Sequence, residues 1–478
     1  MATEQALYSR GMSPRFWLIL ALILALILPL AGCSNHQPRA PERDRVRILI
    51  PASYKAQIQA LLASGVRDFS FDADDIDWVD LPWYSGRDAV FAQSLAARFA
   101  GSDPDADAFF IDLYRTGSFR PAWLTRFEGI SDQFRPVFLH AAMPGADEAY
   151  AVPWSAKGNF LFYRKDLVPK PPKTFEEMEQ ACRAIPVRTL PATIRYCLLV
   201  NWDSIENDLY PALWSLRDSA VQKQDGRVDL SSDESVAFLT RVAAMLGDTI
   251  RSGFTVMPPA AQIASVGKHI HRRFARGEAV FMITWNNRYR YMLSDVGDAL
   301  PPTGMAPVPA ARDGAQTSSN IGSWGWIVPR VAEGASEKAR ARHAAALRFV
   351  QEVSSPEAVR YFVEKEGMIP ARNDVPLPKE LEGVLSPEIL AALGGAAKGF
   401  VFRDRGSDAF VHGYVRDAIR DVLTCATAAR KPLPTGLLGD CARYLEQCTE
   451  SESAATNCLM VAVRRRLQAA QQSIDGGR

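Results

Sequence analysis

The length, composition and charge of this chain favour a large globular protein without a nucleic-acid partner. It has 478 residues, of which 47% are hydrophobic, and its 55 basic residues nearly balance its 54 acidic ones. A net charge of +1 without a basic block lacks the positive patch that phosphate backbones require. Only the N-terminal end carries a long apolar run, so we expect the rest to form a soluble body in two lobes.

Residues 1–33 have the pattern of an export signal. Arg10 and Arg15 precede an apolar run over Phe16–Leu30, and the run is followed by Ala-Gly and then Cys33. The run is shorter than the roughly 20 residues that a helix needs to cross a bilayer, and its small-residue end suits a peptidase. The sequence therefore predicts a lipoprotein signal peptide.

Cleavage before Cys33 would leave this cysteine at the N-terminus, with a diacylglycerol linked to its sulfur. Residues 34–45 are rich in proline and charge, and we expect them to form a flexible tether. The alternative is an uncleaved membrane anchor. Both interpretations place the body outside the cytoplasm and attach it to a membrane.

The cysteines predict disulfides rather than a metal site. The chain has seven, and setting Cys33 aside leaves an even number in an exported protein. Cys182 and Cys197 bracket one short segment. Four more near the C-terminus allow three pairings, among which the sequence does not choose: Cys425, Cys441, Cys448 and Cys458. No histidine stands at ligand spacing beside them, and no metal or other cofactor is predicted.

The start of the body alternates strands and helices. Apolar runs and helical spacing succeed one another in five segments: strand 46–51, helix 52–66, strand 76–81, helix 90–100 and strand 106–111. Such an order implies a parallel sheet with helices on both faces and ligand sites beyond the carboxyl ends of its strands. Asp112 follows the third strand and is a candidate ligand contact, although a helix cap or turn residue is an equally good interpretation.

Three segments in the middle of the chain form a family pattern. They are Tyr150–Trp154, Leu161–Leu167 and Pro171–Met178. Together they resemble the region of family 1 extracellular solute-binding proteins in which the chain passes from the first lobe to the second. Pro153 would fix a backbone angle there, and Thr174 would cap a helix.

Further segments follow in the same order as in that family. They resemble a strand with its Trp-bearing turn, a return hinge, a glycine-rich strand and a Pro-Ala-Arg turn: Gly277–Asn286, Gly304–Pro309, Ile321–Pro329 and Gly367–Arg372. The resemblance runs from about Val46 to Leu423. It implies an α/β, periplasmic-binding-protein-like fold of two lobes, each with a central sheet flanked by helices, joined by hinge strands.

The resemblance also implies that each lobe is built from separate segments. The predicted lobes are residues 46–152 plus 304–375 for the first and 153–303 plus 376–478 for the second. Within the second, residues 424–457 depart from the family as a cysteine-rich insertion without an assigned role.

The trehalose- and maltose-type branch is the most similar part of the family. Asn201-Trp202 leads through Glu206 to Leu213–Leu216, where that branch carries a Gln-x-x-x-Glu segment and a Leu-Trp-Ser helix. The resemblance therefore implies a carbohydrate ligand, with a di- or oligosaccharide preferred.

The candidate site residues are those whose chemistry suits a sugar. Pyranose rings have flat C–H faces that stack on aromatic rings, and hydroxyl groups that bind carboxylates, amides and Arg. Stacking is predicted for Trp154, Trp202, Trp285 and Trp324, although core packing is the commoner role of a tryptophan. The other candidate contacts are Asp112, Glu206, Asn286, Gly322 and Arg372.

These features predict a substrate-binding lipoprotein that closes on its ligand about hinge strands at Val152–Trp154 and Gly304–Pro307. A monomer of this kind would deliver the sugar to the permease subunits of an ABC importer. The chain has no Gly-x-x-x-x-Gly-Lys-Ser/Thr motif, so we assign ATP hydrolysis to a separate subunit.

Two other classes of protein stay open. A sensory or scaffolding envelope lipoprotein could keep the same fold, and the cysteine-rich insertion is the reason to consider it. A carbohydrate-active enzyme would need paired carboxylates such as Glu206 with Asp208, or Asp112 with Asp166. No known nucleophile or metal motif accompanies these pairs, and the chain is predicted not to be an enzyme.

Overall fold

The structure is a computed structural model. It describes residues 45–81, 105–113, 119–142, 149–216, 233–247, 249–252, 265–395 and 399–404, together with 416, 419, 420 and 423. Several predictions fall outside these residues: the signal peptide, lipidation at Cys33, the tether, the helix 90–100, the insertion 424–457, and Cys425, Cys441, Cys448 and Cys458.

Three parallel strands begin the first sheet: β1 (Val46–Pro51), β2 (Ile76–Leu81) and β3 (Ala108–Asp112). β1 pairs in parallel with β2 on one side and with β3 on the other. Helix α1 (Ala52–Leu62) begins directly after β1, so a helix follows the first strand as predicted. The parallel arrangement is confirmed, and Asp112 is the last residue of β3, at the carboxyl edge of the sheet.

The other strands extend this first sheet and form a second one that is continuous with it. In chain order they are β4 (Val152–Arg164), β5 (Tyr196–Val200), β6 (Ala279–Trp285), β7 (Thr303–Ala306), β8 (Thr317–Ile327), β9 (Ile369–Pro370) and β10 (Phe400–Asp404). Within the described residues the main path runs β2-β1-β3-β8-β4-β6-β5, while β10 pairs with β8, and both β7 and β9 pair with β4.

β4 belongs to two sheets in succession. Its first half, Val152–Gly158, pairs antiparallel with β8, whereas Asn159–Tyr163 pairs antiparallel with β6. The strand therefore changes its sheet between Gly158 and Asn159. This position is later in the chain than the predicted hinge at Val152–Trp154, because those residues are already paired in the first sheet.

β8 runs back alongside β4 and provides the second connection. Its end pairs with β3, while Ser318 near its start donates from Oγ to the carbonyl of Pro211, 3.2 Å away. β7, by contrast, pairs with the second half of β4. At Thr303–Ala306 the chain is thus paired in the second sheet, and the return hinge at Gly304–Pro307 stays a prediction. The exact division into lobes stays a prediction.

The alternation of side chains along β4 builds two cores at once. Phe160 and Phe162 pack in the largest apolar cluster, and Leu161 and Tyr163 pack in a second cluster on the opposite face. Successive side chains of a strand point to opposite faces, and a strand covered on both faces reads as a continuous apolar run. This is why the Leu-Phe-Tyr sequence suits the middle of a sheet.

Helices cover the sheets. After α1 they are α2 (Pro136–Ala142), α3 (Phe175–Ala184), α4 (Ile205–Leu213), α5 (Asp233–Met245), α6 (Thr249–Ser252), α7 (Ile270–Ala275), α8 (Arg288–Val296), α9 (Glu337–Val353), α10 (Pro356–Glu366), α11 (Lys379–Glu382) and α12 (Pro387–Leu393). In the part of the chain that the structure describes, none of them is both long and apolar enough to span a membrane.

Hydroxyl side chains start three of these helices. Thr174 Oγ1 accepts a hydrogen bond from the Glu177 amide at 3.1 Å, which confirms the predicted cap of α3. Ser336 and Ser355 cap α9 and α10 in the same way. Each such cap satisfies an amide that has no partner inside its own helix.

A disulfide between Cys182 and Cys197 confirms one predicted pairing. It joins α3 to β5 inside the second cluster, with Cα atoms 5.8 Å apart, and neither residue is more than 2% exposed. The bridge closes the short segment between α3 and β5 and does not involve β4 or β8.

Replacing both cysteines of this bridge by alanine is expected to lower the free energy of unfolding by about 3 kcal/mol. This is the loop-closure value for a sequence separation of 15 residues. Urea denaturation followed by circular dichroism measures it. A reductant should lower the stability of the natural chain by more than that of the Ala variant, and equal stability of the two oxidised proteins would contradict the assignment.

Candidate ligand-binding site

The point where β4 changes sheets is held by Asn286, the first residue after β6. Its Oδ1 accepts a hydrogen bond from the Gly158 amide at 2.8 Å, and its own amide donates to the Gly158 carbonyl at 2.8 Å. Its Nδ2 donates to the Gly367 carbonyl at 2.7 Å, and the residue is fully buried. Asn286 was predicted to bind sugar hydroxyls, and this is corrected: both ends of its amide are used by backbone groups.

Only glycine fits at position 158, because the ring of Phe160 lies close to its Cα atom. A Cβ atom here would overlap the ring of Phe160, which is fully buried and has no free space to move into. Any larger residue would push that ring into a packed core, which costs free energy. At the crossover, Gly158 provides space for the Phe160 ring, and Asn286 pairs with the backbone amide and carbonyl of Gly158.

One face of the joined sheets brings together most of the candidate residues. Directly paired residues of antiparallel strands share a face, and so do alternate residues of one strand. Asp112 pairs with Trp324, which also pairs with Ser155, while Asn159 pairs with Trp285. We call this surface the crossover face, and its residues are Asp112, Ser155, Lys157, Asn159, Trp285, Gly322 and Trp324.

Three residues of this face were missed in the sequence. Ser155, Lys157 and Asn159 are polar, alternate along β4, and stand in a strand that is otherwise almost entirely apolar. Ser155 and Asn159 are fully buried, and Lys157 is partly exposed with Nζ 5.6 Å from the centre of the Tyr54 ring. A period of two among polar residues was the signal that could have identified them.

Helix α4 covers the second-sheet end of the crossover face. Asn159 donates from Nδ2 to Asp208 Oδ1 at 2.8 Å. Asn320, two residues before Gly322 on β8, donates from Nδ2 to Asn207 Oδ1 at 3.2 Å. The predicted contact Glu206 precedes these residues in the first turn of α4, is 5% exposed, and accepts from the Asn207 side chain at 3.0 Å.

Asp208 is a buried carboxyl group in this network. Besides the bond from Asn159, its Oδ2 accepts from the Asn201 amide at 2.6 Å, and no part of the residue is exposed. Burial raises the pKa of Asp208 well above its ordinary value, and the nearby Glu206 carboxylate adds to the increase. The hydrogen bonds from Asn201 and Asn159 act in the opposite direction but do not outweigh burial.

Several buried polar atoms on this face have no hydrogen-bond partner among the described residues. They are Ser155 Oγ, Asn159 Oδ1 and Asn320 Oδ1. The hydroxyl groups of Ser319 and Ser323, on the opposite face of β8, are also buried without a hydrogen-bond partner among these residues. Buried polar atoms are nearly always satisfied, so a group of unsatisfied ones beside tryptophan and carboxylate side chains indicates a place for a hydrogen-bonding ligand.

The four candidate tryptophans differ in what they offer a ligand. Trp285 ends β6 and is partly exposed on the crossover face. Trp324 is 5% exposed because it packs against Tyr54 and Phe110, with ring centres 4.6 and 5.5 Å away. Trp202 is partly buried beside α4, where the guanidinium of Arg420 lies 5.7 Å from its ring centre.

Trp154 lies in the core and is corrected as a candidate. It is fully buried, its Nε1 donates to the Val353 carbonyl at 2.6 Å, and its ring centre is 4.0 Å from that of Phe362. The register with β8 shifts between Pro153 and Ser155, so Trp154 is the extra residue of a bulge and leaves the alternation of the strand.

Arg372 is also corrected, because its guanidinium is used by neighbouring protein groups. Nε and Nη2 donate to the two carboxylate oxygens of Asp374 at 2.8 and 2.7 Å. Nη1 donates to Gln133 Oε1 and to the Ser354 carbonyl at 3.2 and 3.1 Å. A guanidinium with these partners fixes the turn after β9 and has no bidentate edge left for a sugar.

The comparison with protein families identifies the class of protein. A model described as "Bacterial extracellular solute-binding protein" matches residues 92–384, which is more than half of the chain. The chain belongs to this family, and its fold is the α/β, periplasmic-binding-protein-like fold that the sequence predicted. The family binds solutes outside the cytoplasm and is not one of enzymes, in agreement with the predictions for location and activity.

A curated relative from Deinococcus radiodurans is described as a probable ABC transporter-binding protein. It is 22% identical over 251 residues, which are 49% of this chain and 56% of the relative. The match thus spans only a little more than half the length of that protein.

Solved structures share the fold over nearly the whole body. Maltose-bound MalE3 of T. maritima is 18% identical with a TM-score of 0.60, covering 89% of this chain and 99% of that one. The sugar-binding protein MalE of Xanthomonas citri is 17% identical with a TM-score of 0.57, covering 90% and 99%. A solute-binding protein of Agrobacterium radiobacter in complex with ribitol is 16% identical with a TM-score of 0.57, covering 81% and 98%.

Replacing Asn286 by alanine is expected to destabilise the protein by roughly 2–6 kcal/mol. The change leaves the buried Gly158 amide and the Gly367 carbonyl without partners, and each such group costs about 1–3 kcal/mol. Urea denaturation measures the loss. Asn373→Ala is the matched control, since the side chain of this exposed asparagine donates to the Asp132 carbonyl at the surface and the loss of that bond should cost far less. Equal effects of the two variants would contradict the role of Asn286.

The raised pKa of Asp208 predicts a stability that falls as the pH rises. The native state holds the Asp208 proton more tightly than the unfolded state, in which the pKa is near 3.8. The stability that this proton contributes is therefore present at low pH and is lost as the pH rises through the pKa of Asp208 in the native state. Urea denaturation from about pH 4 to about pH 8 measures this, and Asp208→Asn should remove that part of the decline.

Asp166→Asn provides a control of opposite sign. The hydrogen bond and charge of Arg164 lower the pKa of Asp166, so its contribution is present at neutral pH and lost as the pH falls. The decline assigned to Asp208 should therefore persist in Asp166→Asn. If Asp208→Asn and the natural chain have the same pH profile, Asp208 is ionised in the native protein and the assignment is wrong.

Proposed function

We propose that this chain is the substrate-binding protein of an ABC importer and that its ligand is a carbohydrate, with a di- or oligosaccharide preferred. The observation that carries the proposal is the crossover face. It combines buried, unsatisfied hydroxyl and amide oxygens with a partly exposed tryptophan at the junction of two sheets. Pockets for small ligands have this combination of apolar surface and a few convergent polar groups.

The chemistry of the face suits a polyol. Trp285 offers an aromatic surface to the C–H side of a sugar ring, while Ser155 and Asn159 offer hydrogen-bonding oxygens to its hydroxyl groups. Carboxylates at Asp112 and Glu206 are further acceptors at the two ends of the face. The maltose and ribitol bound to two of the structural relatives are both rich in hydroxyl groups, which supports this ligand class.

The mechanism proposed is closure of two lobes about β4 and β8. Both strands reach from the first sheet to the elements of the second, and Gly158 in β4 offers the smallest side chain at the change. A ligand that contacts both sheets would favour the closed arrangement by its differential affinity. The closed protein would then be recognised by permease subunits, with ATP hydrolysis in a separate subunit.

The proposal also includes lipid attachment at Cys33. The Arg residues, apolar run and Ala-Gly-Cys sequence of residues 1–33 support an exported precursor that is cleaved before this cysteine. A single tethered monomer beside the membrane would keep captured ligand close to the importer. Mass spectrometry of the mature N-terminus tests this part separately.

A thermal-shift screen of the full-length chain tests the ligand class. The panel contains mono-, di- and oligosaccharides and sugar alcohols, with amino acids and polyamines as controls. A ligand at about a hundred times its dissociation constant should stabilise the protein by roughly 2.7 kcal/mol. We expect a member of the sugar panel to do so, and Trp285→Ala to weaken its binding on the order of tenfold, or about 1.4 kcal/mol, through loss of stacking.

Trp78→Ala is the matched control. Trp78 is a partly buried tryptophan on β2, at the far edge of the first sheet, and its Nε1 donates to the Ala73 carbonyl. This variant should keep the sugar affinity of the natural chain. Binding of an amino acid or polyamine alone would overturn the carbohydrate assignment, and binding of nothing in the panel would favour the sensory or scaffolding alternative.

A further inference from the structure

Two buried asparagines at the crossover bind the start of α4 through their side chains. Asn159 and Asn320 adjoin the last pair of the β4–β8 ladder, one on each strand, and both residues are fully buried. Their partners are consecutive residues of the helix, since Asn159 bonds to Asp208 and Asn320 bonds to Asn207. The direction of these bonds decides which end of each amide is left for a ligand.

Asp208 fixes the orientation of the Asn159 amide. Its Oδ1 accepts from Asn159 Nδ2 at 2.8 Å, and its Oδ2 accepts from the backbone amide of Asn201 at 2.6 Å. An ionised carboxylate accepts hydrogen bonds and donates none, so the NH₂ end of Asn159 has to face it. In the neutral form the oxygen without the proton accepts in the same way, and the reverse orientation of Asn159 would require the proton to lie on Oδ1.

A second carboxylate orients Asn320 through one intermediate residue. Glu206 Oε1 accepts from Asn207 Nδ2 at 3.0 Å, so the other end of the Asn207 amide, its oxygen, is left for Asn320. This oxygen accepts from Asn320 Nδ2 at 3.2 Å. Both amides therefore donate in the direction of Glu206, and the carboxylate at the end of the chain determines that direction.

The two asparagines use their NH₂ groups on α4 and keep their oxygens. Asn159 Oδ1 and Asn320 Oδ1 are buried and have no hydrogen-bond partner among the residues that the structure describes. An amide oxygen accepts hydrogen bonds and cannot donate them. Because buried acceptors are nearly always satisfied, two such oxygens beside the same helix indicate ligand groups that donate.

We infer that Asp208 and Glu206 are positioning residues, which turn the amide oxygens of Asn159 and Asn320 toward the ligand, so that the site selects hydroxyl groups acting as hydrogen-bond donors. The inference rests on the proposed function for the class of ligand, and it adds the role that the hydroxyl groups take. A site of this kind rejects an analogue that lacks the donated hydrogen, because the buried oxygen is then left without a partner.

Neutron diffraction from deuterated crystals of the full-length chain tests the orientation without any ligand. The Nδ2 deuterons of Asn159 are expected toward Asp208, and those of Asn320 toward Asn207. In Asp208→Asn one acceptor replaces two. Its oxygen should keep the bond from the Asn201 backbone amide, and Asn159 should turn so that its NH₂ group faces the ligand. An Asn159 oxygen directed at Asp208 in the natural chain would overturn the inference.

Isothermal titration with maltose and with trehalose tests the specificity. The probes include analogues of each sugar in which one hydroxyl at a time is replaced by fluorine, which cannot donate a hydrogen bond. At least one analogue should bind the natural chain roughly tenfold more weakly than its parent sugar, or worse. Asp208→Asn should reduce this penalty to about threefold or less for the same analogue, because an NH₂ group then faces the fluorine.

Asp203→Asn is the matched control. Asp203 is near Asp208 in the chain, but its side chain is 70% exposed and pairs with Arg420 at 3.8 Å, so this variant should discriminate as the natural chain does. An unchanged penalty in Asp208→Asn, or equal binding of every analogue and its parent by the natural chain, contradicts the inference. If Asp208→Asn does not fold, the natural chain's deuteron positions and fluorine penalty decide. If neither sugar binds, the proposed ligand class fails for these probes, and the deuteron positions alone decide whether the carboxylates orient the asparagines.

Discussion

The hydrogen bonds between Asn286 and Gly158 are the interaction on which the rest of the site depends. A strand that leaves one sheet for another must keep its amides and carbonyls paired at the change, since an unpaired backbone group in the interior is costly. Asn286 closes this gap with its side chain and its own amide, and it extends the connection to Gly367, two residues before β9. β4 can then continue without interruption, and its alternation places polar side chains from both sheets on one face.

That face shows how buried polarity is tolerated in an apolar interior. All nine residues of α4 are buried, including Glu206, Asn207 and Asp208. Asn159 of β4 donates to Asp208, Asn320 of β8 donates to Asn207, and Asn207 in turn donates to Glu206. Each pairing links an element of one chain segment with an element far away in sequence. The same groups therefore stabilise the contact between α4 and the strands and leave oxygens available beside it.

The sequence predicted the fold because its signals are local and periodic. The parallel strands, the Thr174 cap and the Cys182–Cys197 bridge all follow from patterns within short segments. The residues of the site were harder to predict from the sequence, because the role of a single residue depends on partners that are distant in the chain. Trp154 is removed from the site by one bulge, and Asn286 and Arg372 are engaged by backbone groups that no local pattern identifies. Asp112 was predicted because the end of its strand is visible in the sequence, and Trp285 because the family resemblance places its turn at the cleft.

The division of the crossover face between two sheets has an evolutionary consequence. Asp112 and Trp324 are carried by the first sheet, while Trp285 and the acidic turn of α4 are carried by the second. The packing beneath the two halves is shared, because the largest apolar cluster contains Phe110 and Trp324 of the first sheet as well as Phe162 and Met282 of the second. The ligand-facing residues of the two halves are nevertheless different, so descendants of such a protein can alter one half of their ligand preference at a time while the shared core constrains both.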